Sequence, residues 1–533
     1  MTAETSGQNK DVHNGGEHLT MMAKRSNVGI VVAGLLLGIL MASMDNTIVA
    51  TAMGTIVHDL GGMDKFVWVT SAYMVAEMAG MPIFGKLSDM YGRKRFFIFG
   101  ILTFMLGSIL CGTAHSIIEL SIYRAIQGIG GGALVPIAFT IMFDAVPLES
   151  RGKLGGLFGA VFGMSSIFGP LLGAYITDYI AWEWIFYINL PLGLIAFLMI
   201  AIFYKESVEH AKQRIDWGGA FTLVGAIVCL MFALELGGKK YAWDSSMILG
   251  LFAGFAVLVI AFIMIERKVS EPIISFNMFR KRLYWSSNAI AMFSGAAFIT
   301  ASVYIPIFIQ GVLGGKATNA GMVLLPMMLG TVVTATGGGF LMTKMTFRSI
   351  MIPTLGILVA GNVLLTTLGV DSTRFIVTLF MILVGLGIGA SFSVLSNAAI
   401  YSFSPRERGA ASATLNFLRS LGMTIGITVF GIVQSHVMTN KLKDSFAGAG
   451  GDGAAMPAGL DLSDPRAILT PETREQIPTD VLDKIVAALS SSITYTFMWA
   501  IIPSVLALAF AFFMGRQKLD AMAESSEYGS SSH

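Results

Sequence analysis

Long apolar segments recur along nearly the whole chain, and charged residues or glycine and proline close each one. A helix that crosses the hydrocarbon layer of a membrane needs about 20 apolar residues. The segments form a set of six, a pair and a second set of six, at about 28–53, 66–86, 96–113, 117–143, 153–177 and 183–204, then 216–236 and 245–266, then 285–311, 318–342, 349–369, 374–400, 409–437 and 493–514. This pattern predicts an all-α integral membrane protein with fourteen transmembrane helices.

The grouping of the segments predicts five parts. They are an N-terminal tail (1–27), a six-helix bundle (28–204), an inserted helix pair with flanking loops (205–284), a second six-helix bundle (285–514) and a C-terminal tail (515–533). A long outer loop at 438–492 lies inside the second bundle. It is either a partly ordered spacer or a cap over the outer mouth.

Composition agrees with a membrane location. Of 533 residues, 54% are hydrophobic and 13% are charged, which differs from a soluble globular protein. The formal charge of +2 is too small to suggest nucleic acid as a partner. Cys111 and Cys229 both lie in apolar segments, so neither a disulfide framework nor a thiolate metal site is expected.

Lysine and arginine favour one set of alternate loops. Positive residues are retained on the cytoplasmic side. The opposite short loops hold only Lys65, Lys239, Lys240, Lys316 and Arg374. Fourteen spans place both termini on one side, so both are predicted to be cytoplasmic, in a protein of the cell (inner) membrane. The first segment is too long for a signal-peptide core and is read as an uncleaved first helix.

Two loops are repeated between the sets of six. "FDAVPLESRGKLGG" (143–156) is echoed by "IYSFSPRERGAASA" (400–413), and "GKLSDMYGRK" (85–94) more weakly by "GFLMTKMTFR" (339–348). In the weaker echo Thr343 stands in place of Asp89. Matching halves predict two bundles related by a pseudo-two-fold axis along the membrane normal, as in transporters that bind substrate between the halves.

Four charged residues fall inside predicted spans: Asp45, Glu77, Arg124 and Arg419. A charge at the bilayer centre costs roughly 3 kcal/mol or more, so it normally faces a partner or a water-filled cavity. Helix rise places Asp45 and Arg124 at similar depth, where they can form an ion pair.

Neighbouring positions extend this group. Gln127, Gly128 and Gly131 share the helical face of Arg124, and the glycines admit a close neighbour. Glu77 lies near the midplane, with Tyr73 one turn away. For Arg124 a purely structural ion pair or carbonyl clamp remains open, and for Glu77 a structural acid.

Buried carboxylates offer a way to couple protons to transport, because a carboxyl group in a low-dielectric cavity can hold a proton near neutral pH. One proton crossing ~150 mV releases roughly 3.5 kcal/mol. When one proton is exchanged for one monovalent cation, no net charge crosses the membrane. The membrane potential then contributes nothing, and only the pH gradient drives the exchange. Two acids, Asp45 and Glu77, would permit two protons per cation.

Three stretches carry a family resemblance. "GKLSDMYGRKRFF" (85–97), "RAIQGIGGGALVP" (124–136) and "GAVFGMSSIFGPLLG" (159–173) resemble signature motifs of the major facilitator superfamily. With "MDNTIVATAM" in the first segment and the extra helix pair, the chain resembles its fourteen-span drug:proton antiporter branch. The resemblance implies proton-coupled export of lipophilic, often cationic drugs, dyes and antiseptics by alternating access. It implies no cofactor, the proton gradient being the energy source.

The resemblance also assigns roles. It implies that Arg124 relays protons and that Asp45 is the first-helix acid of the family. The conformational motifs that it implies are Gly85, Asp89, Gly92, Arg93, Gly163, Gly169, Pro170 and Gly173. The chain departs from the pattern at Ala50, Gly54 and Glu183, and no acid stands in the tenth span.

Substrate contacts are expected from the intramembrane acids and from nearby amide and aromatic side chains, which can stack on aromatic or cationic ligands. The candidates are Asp45, Glu77, Tyr73, Gln127, Phe158, Phe162, Tyr304 and Phe417. For each aromatic residue, packing in the protein core is the alternative explanation. Membrane lipids, small lipophilic substrates and protons are the expected partners, and a periplasmic adaptor remains open.

Other functional classes fit less well. "GMPIFGK" (80–86) has phosphate-loop spacing, but Leu87 follows where a magnesium-binding hydroxyl is needed, and "GIGGGA" (128–133) lies in an apolar helix. The protein is therefore expected not to be an enzyme and to hold no metal. Two alternatives remain: a transporter of a physiological solute such as a peptide, siderophore or osmolyte, and a membrane sensor without net transport.

Overall fold

A computed structural model describes residues 28–61, 67–146, 148–206, 215–238, 240–315, 317–447 and 477–518. Within these ranges the fold is all-helical, with no strand beyond an isolated bridge between Gly237 and Tyr241. Fourteen of the described helices have 15 residues or more. We label them α1 Val28–Leu60, α2 Val67–Tyr91, α3 Arg93–Cys111, α4 Ile117–Ala145, α5 Leu148–Tyr179, α6 Asn189–Phe203, α7 Trp217–Leu236, α8 Ser246–Glu266, α9 Arg282–Ile307, α10 Ala317–Leu341, α11 Phe347–Leu365, α12 Arg374–Tyr401, α13 Arg408–Ala447 and α14 Thr479–Phe513.

Short elements complete the described helices. A helical turn at Trp184–Tyr187 precedes α6, a 3₁₀ turn at Met278–Arg280 precedes α9, and a π-helical turn at Phe308–Val312 follows α9.

Twelve of the described helical segments are long and apolar enough to cross a membrane. Helix α2 is not among them, because it carries Glu77, Lys86 and Asp89 among its apolar residues. In α5, only Phe168–Thr177 stands out as apolar within its described residues. The chain is thus a multi-pass, all-helical membrane protein, and the count of fourteen spans stays a prediction.

Helices extend into both ends of the predicted outer loop at 438–492, and the loop itself stays a prediction. Helix α13 continues to Ala447 and α14 begins at Thr479, while 448–476 lie outside the described residues. Hydropathy finds only the membrane-embedded part of a helix, and these extensions are more polar. Both nonetheless bury apolar side chains, including Leu442 and Ile485, in a shared core.

The long helices pack as two groups. Helices α1–α6 enclose two apolar clusters, whereas α9–α14 enclose a third. We call α1–α6 the N-terminal half and α9–α14 the C-terminal half. The halves meet along two seams, α2 against α13 and α5 against α10. The predicted five-part boundaries and pseudo-two-fold axis stay predictions.

The inserted pair, α7 and α8, packs on itself and, through α7, on α2. Lys86 on α2 forms an ion pair of 2.7 Å with Glu271, in the loop that follows α8. Glu266 accepts hydrogen bonds from the N–H groups of Ile273 and Ile274, which folds this loop back. The loop is therefore fastened to the end of α2 that also carries Asp89.

Candidate functional site

Asp45 on α1 is the centre of a fully buried polar cluster. Its carboxylate pairs with the guanidinium of Arg124 on α4, as their depths predicted. The same carboxylate accepts hydrogen bonds from Gln127 at 2.8 Å and from Asn189 on α6 at 3.1 Å. The hydroxyl of Ser108 on α3 accepts hydrogen bonds from the Gln127 amide at 2.8 Å and from the Asn189 amide at 3.3 Å. Four helices of the N-terminal half thus converge on one carboxylate.

Arg124 is held by several further contacts. Its guanidinium donates to Gln127 at 2.6 Å, to Asn46 at 3.5 Å and to the backbone carbonyl of Val69 at 3.4 Å. Its guanidinium carbon lies 4.1 Å from the centre of the Tyr73 ring. A buried charge is stable only when it is paired and hydrogen-bonded, and this geometry supplies both conditions.

Glycines let α4 approach α2 at this point. A methyl group at Gly131 would lie 2.7 Å from the Tyr73 hydroxyl oxygen, and one at Gly132 would lie 2.5 Å from the Glu77 carbonyl oxygen. At Gly128 a methyl group would press on the Tyr73 carbonyl oxygen. The predicted small-residue face is therefore the α2–α4 contact.

Glu77 is half-buried on α2, one turn from Tyr73. Its carboxylate hydrogen-bonds to Asn46 and is under the electrostatic influence of Arg124 and Asp45. Asn46 therefore connects Glu77 to Arg124. Among the described residues, no basic nitrogen lies within 4.0 Å of the Glu77 carboxylate. The two acids share one electrostatic environment, but only Asp45 has an ion-pair partner.

Of the aromatic candidates, only Tyr73 joins this cluster. Tyr304 is buried in the apolar core of the C-terminal half. Phe417 is buried on α13 in a cluster with Met78 and Met81 of α2. The side chains of Phe158 and Phe162, together with Gly163, lie outside the described residues.

A second charged network joins the halves at one end of the α2–α13 seam. The Asp89 carboxylate accepts the backbone N–H groups of Gly409 at 2.9 Å and Ala410 at 2.8 Å, in the first turn of α13. It also pairs with Arg93 at 3.1 Å. A carboxylate at a helix N-terminus satisfies unpaired N–H groups and faces the positive end of the helix dipole. Asp89 thus fastens the N-terminal half to α13.

Arg93 extends this network to Asp144 at the end of α4. It pairs with the Asp144 carboxylate and donates to the carbonyl of Pro405 at 2.5 Å. Asp144 also pairs with Arg408, the first residue of α13, at 3.3 Å. We call Asp89, Arg93, Asp144 and Arg408 the gate network. It closes the two halves against each other at this end.

Glycines make the gate network possible. Gly92 has φ 113°, a left-handed conformation that glycine adopts without strain, and it begins the sharp turn from α2 to α3. A side chain at Gly85 would press on Ala413 across the seam, and one at Gly409 would lie 2.5 Å from an Asp89 oxygen. Close approach of α2 and α13 therefore excludes larger side chains there.

The motif on α5 packs against α1. Side chains at Gly169 and Gly173 would press on Thr47 and Thr51, and Thr47 donates to the carbonyl of Ser165 at 3.0 Å. Pro170 lies within the uninterrupted helix α5. Both glycines therefore lie where α5 and α1 pack closely, and the conformational role that the resemblance implies for this motif stays a prediction.

Sequence reasoning missed Asn189, Ser108, Asp144, Gly409 and Ala410. Asn189 and Ser108 are uncharged residues in apolar segments and so gave no charge signal. Asp144 and Gly409 do lie in the repeated loops, so the repeat itself carried a signal for them. Among the described residues, no group of three or more His, Cys, Asp or Glu side chains is placed to hold a metal ion.

Two helical halves meet along two seams, charged residues join them at one end, and the N-terminal half encloses a buried acid–base cluster. This is the architecture of a membrane transporter. The family model of the Major Facilitator Superfamily matches residues 35–427. The chain belongs to this family.

Comparison with known proteins refines this placement. The chain is 55% identical over 505 residues to Multidrug resistance protein 3 of Bacillus subtilis, covering 95% of this chain and 98% of the relative. It is 37% identical over 481 residues to the Multidrug transporter protein MdtP of the same organism, covering 88% and 89%. An MFS-type efflux pump of Trichophyton rubrum is 31% identical over 501 residues, covering 90% of each.

Solved structures support the fold. The proton:xylose symporter XylE matches with a TM-score of 0.60 at 13% identity, covering 92% of this chain and 96% of that one. The human organic anion transporter MFSD10 matches with a TM-score of 0.55 at 15% identity, covering 90% and 99%.

Proposed function

We propose that this protein exports lipophilic, often cationic compounds across the cell membrane in exchange for protons. Its similarity to a multidrug resistance protein over nearly the full length of both chains supports multidrug export. The observation that supports proton coupling is the buried Asp45–Arg124 ion pair beside the less fully paired Glu77. The charges of Asp45 and Arg124 neutralise each other in this pair. A proton or a cationic ligand is therefore expected to act mainly on the charge of Glu77.

The coupling step follows from this charge distribution. A cationic substrate near Glu77 favours the ionised carboxylate and so favours proton release, and substrate departure favours proton uptake. Asn46 hydrogen-bonds to Glu77 and accepts from Arg124, so the charge state of Glu77 is communicated to the Asp45 cluster. If both acids exchange a proton per cation, the membrane potential contributes to export.

Alternating access requires the halves to part at the gate network while they close at the other end. A proton or substrate between the halves can bias this equilibrium only by binding one conformation more tightly. Helices α2 and α4 connect the two networks, because Glu77 and Asp89 lie on α2 while Arg124 and Asp144 lie on α4.

We further propose fourteen spans with both termini and the gate network on the cytoplasmic side, as the lysine and arginine distribution favours. Ser116, which caps α4, and Ser404, just before α13, test this arrangement. In whole cells, a membrane-impermeant maleimide should label Ser116→Cys and leave Ser404→Cys unlabelled until the membrane is opened. The reverse pattern would invert the proposed topology.

Proton coupling is tested with energised inverted vesicles that contain a pH-sensitive dye. Addition of ethidium or a quaternary ammonium compound should alkalinise the lumen with the wild type. Asp45→Asn or Glu77→Gln should abolish this response. Asp371→Asn, at an exposed loop position, serves as a matched carboxylate-to-amide control and should respond as the wild type does.

The outcomes separate the alternatives. Export of a dye without proton movement would refute the coupling but not the export. No response to any cation by folded, inserted protein would refute cationic-drug export and favour a physiological solute. Ligand binding without flux would favour a sensor.

A further inference from the structure

Arg419 on α13 is a buried cation that the proposed mechanism does not use. It is 6% exposed. Its guanidinium donates to the Asn416 side chain and to the Ser391 backbone carbonyl, both at 3.1 Å. A guanidinium has five N–H donors, so these two bonds leave donors without a protein acceptor in the described part of the chain.

No carboxylate among the described residues lies within 4.0 Å of the Arg419 nitrogens. This differs from Arg124, whose guanidinium pairs with Asp45. An intramembrane cation without a counter-ion is costly and marks a functional position by default.

A second donor beside Arg419 is also unpartnered. Ser391 on α12 is 1% exposed, and its hydroxyl has no hydrogen-bond partner within the described residues. Unpaired buried hydroxyls are uncommon and call for an explanation. A guanidinium and a hydroxyl with spare donors together match the acceptor oxygens of a carboxylate.

The surroundings favour a carboxylate on an aromatic ligand. The Arg419 guanidinium carbon lies 4.9 Å from the centre of the Phe392 ring, which packs edge-on against Phe298 at 6.2 Å. Helix α9 packs against both the backbone and the side-chain stem of Arg419, since a methyl group at Gly295 would lie 2.9 Å from its carbonyl oxygen and 3.4 Å from its Cγ. The guanidinium at the end of this stem contacts α12 and an aromatic pair formed by Phe392 of α12 and Phe298 of α9.

Helix geometry places Arg419 at the depth of Glu77. Gly409 and Asp89 are in contact across the α2–α13 seam. At 1.5 Å per residue, Arg419 lies ~15 Å along α13 from Gly409, and Glu77 lies ~18 Å along α2 from Asp89. The two halves thus present an acid and a base at nearly the same level.

We propose that Arg419 and Ser391 bind the carboxylate of substrates that carry one, so that the transporter accepts zwitterionic aromatic amphiphiles as well as cations. This inference rests on the proposed export function. A zwitterion places its cation near Glu77 and its carboxylate at Arg419. Because it is electrically neutral overall, its exchange for one proton draws on the full membrane potential, unlike that of a monovalent cation.

The test compares a rhodamine carboxylic acid with its ethyl ester, which share one fluorophore and differ in the negative charge and an added ethyl group. Uptake of each dye into energised inverted vesicles is measured for wild type, Arg419→Gln, Arg419→Lys and Ser391→Ala. We expect wild type to transport both dyes. Arg419→Gln should lower transport of the acid by roughly 10-fold or more while changing that of the ester less than about 2-fold.

The further variants separate binding from structural effects. Arg419→Lys keeps the charge and should retain part of the acid transport. Ser391→Ala removes an unpaired hydroxyl at little structural cost, and should lower transport of the acid alone. Arg348→Gln alters an arginine that stacks on Phe512 in the C-terminal half and should change neither dye.

Equal loss of both dyes in Arg419→Gln and in Ser391→Ala would overturn the inference in favour of a structural role. Transport of the ester but not the acid by wild type would also overturn it, and would leave the proposed export intact. Transport of neither dye by wild type would refute the proposed export, and the inference with it.

Discussion

Neutralising Asp89 is expected to release the closed end of the transporter. The carboxylate holds two backbone N–H groups of α13 and one guanidinium, all within 3.1 Å, and is 5% exposed. In Asp89→Asn, the single amide oxygen can still accept one of the two backbone N–H groups of α13. The hydrogen bond to the other N–H group and the ion pair with Arg93 are lost. Charge-assisted hydrogen bonds contribute ~1.5–3 kcal/mol each. The closed state should therefore be destabilised by about 3 kcal/mol.

A free-energy change of about 3 kcal/mol alters the equilibrium between two conformations by roughly 100-fold. A cysteine at position 412 reports this change. Ser412 is buried on α13, and its hydroxyl donates to the carbonyl of Pro136 on α4 at 3.4 Å. In protein lacking Cys111 and Cys229, the reaction rate of Ser412→Cys with a permeant maleimide should rise by up to roughly 100-fold when Asp89→Asn is added.

The repeated loop supplies the control for this measurement. Thr343 occupies the corresponding position in the C-terminal half, in the turn after α10, and its exposed hydroxyl donates to the backbone carbonyl of Phe340 at 3.0 Å. Thr343→Ala should leave the labelling rate unchanged. Gly409→Ala should raise it without removing a charge, because the new methyl group would displace Asp89. Unchanged labelling in Asp89→Asn, or an equal increase in Thr343→Ala, would refute the reasoning.

Three smaller predictions concern stability, measured as melting temperature in detergent. Gly128→Ala should lower it by an amount equivalent to ~1–3 kcal/mol, because the methyl group presses on the backbone of α2, whereas Gly250→Ala, with nothing within 4 Å, should not lower it. Asn189→Ala should cost ~1–3 kcal/mol, since it removes a donor from the central carboxylate; no change would show that water replaces the amide. Reversing either charge of the Lys86–Glu271 pair should cost up to ~1 kcal/mol, and reversing both should restore stability; equal losses in all three variants would contradict a direct pairing.

The sequence predicted the central ion pair because both residues break the apolar pattern. Each lies inside a span, and helix rise alone places Asp45 and Arg124 at similar depth. Asn189 could not be found this way. It is an uncharged residue at the start of α6, and it reaches Asp45 across 144 positions of the chain. A contact of that kind depends on how helices pack rather than on local pattern.

The gate network was predicted only in part, for a related reason. The motif resemblance indicated Asp89 and Arg93, but several of their partners belong to the other half of the chain. Gly409 and Ala410 contribute backbone N–H groups, which no side-chain pattern records. Asp144 stands at the end of a span, where an acid is ordinarily solvated, and it is recruited only because the two halves meet there.

Buried acidic and basic side chains are distributed unequally between the two halves. The N-terminal half contributes the acids Asp45, Glu77 and Asp89. In the C-terminal half, the position that corresponds to Asp89 is Thr343, which carries no charge. The C-terminal half donates two backbone N–H groups to the Asp89 carboxylate. It also contributes Arg419, which has no acid partner among the described residues. Besides the Asp144–Arg408 pair, closure of the α2–α13 seam is therefore expected to depend on the Asp89 carboxylate, with no matching acid at the repeated position. Because that carboxylate and Glu77 lie on the same helix, a shift of α2 that accompanies a change of charge at Glu77 also moves Asp89 relative to the first turn of α13. Helix α2, which carries both carboxylates with Pro82 between them, is therefore the element through which we expect the charge state of the central site to reach the gate.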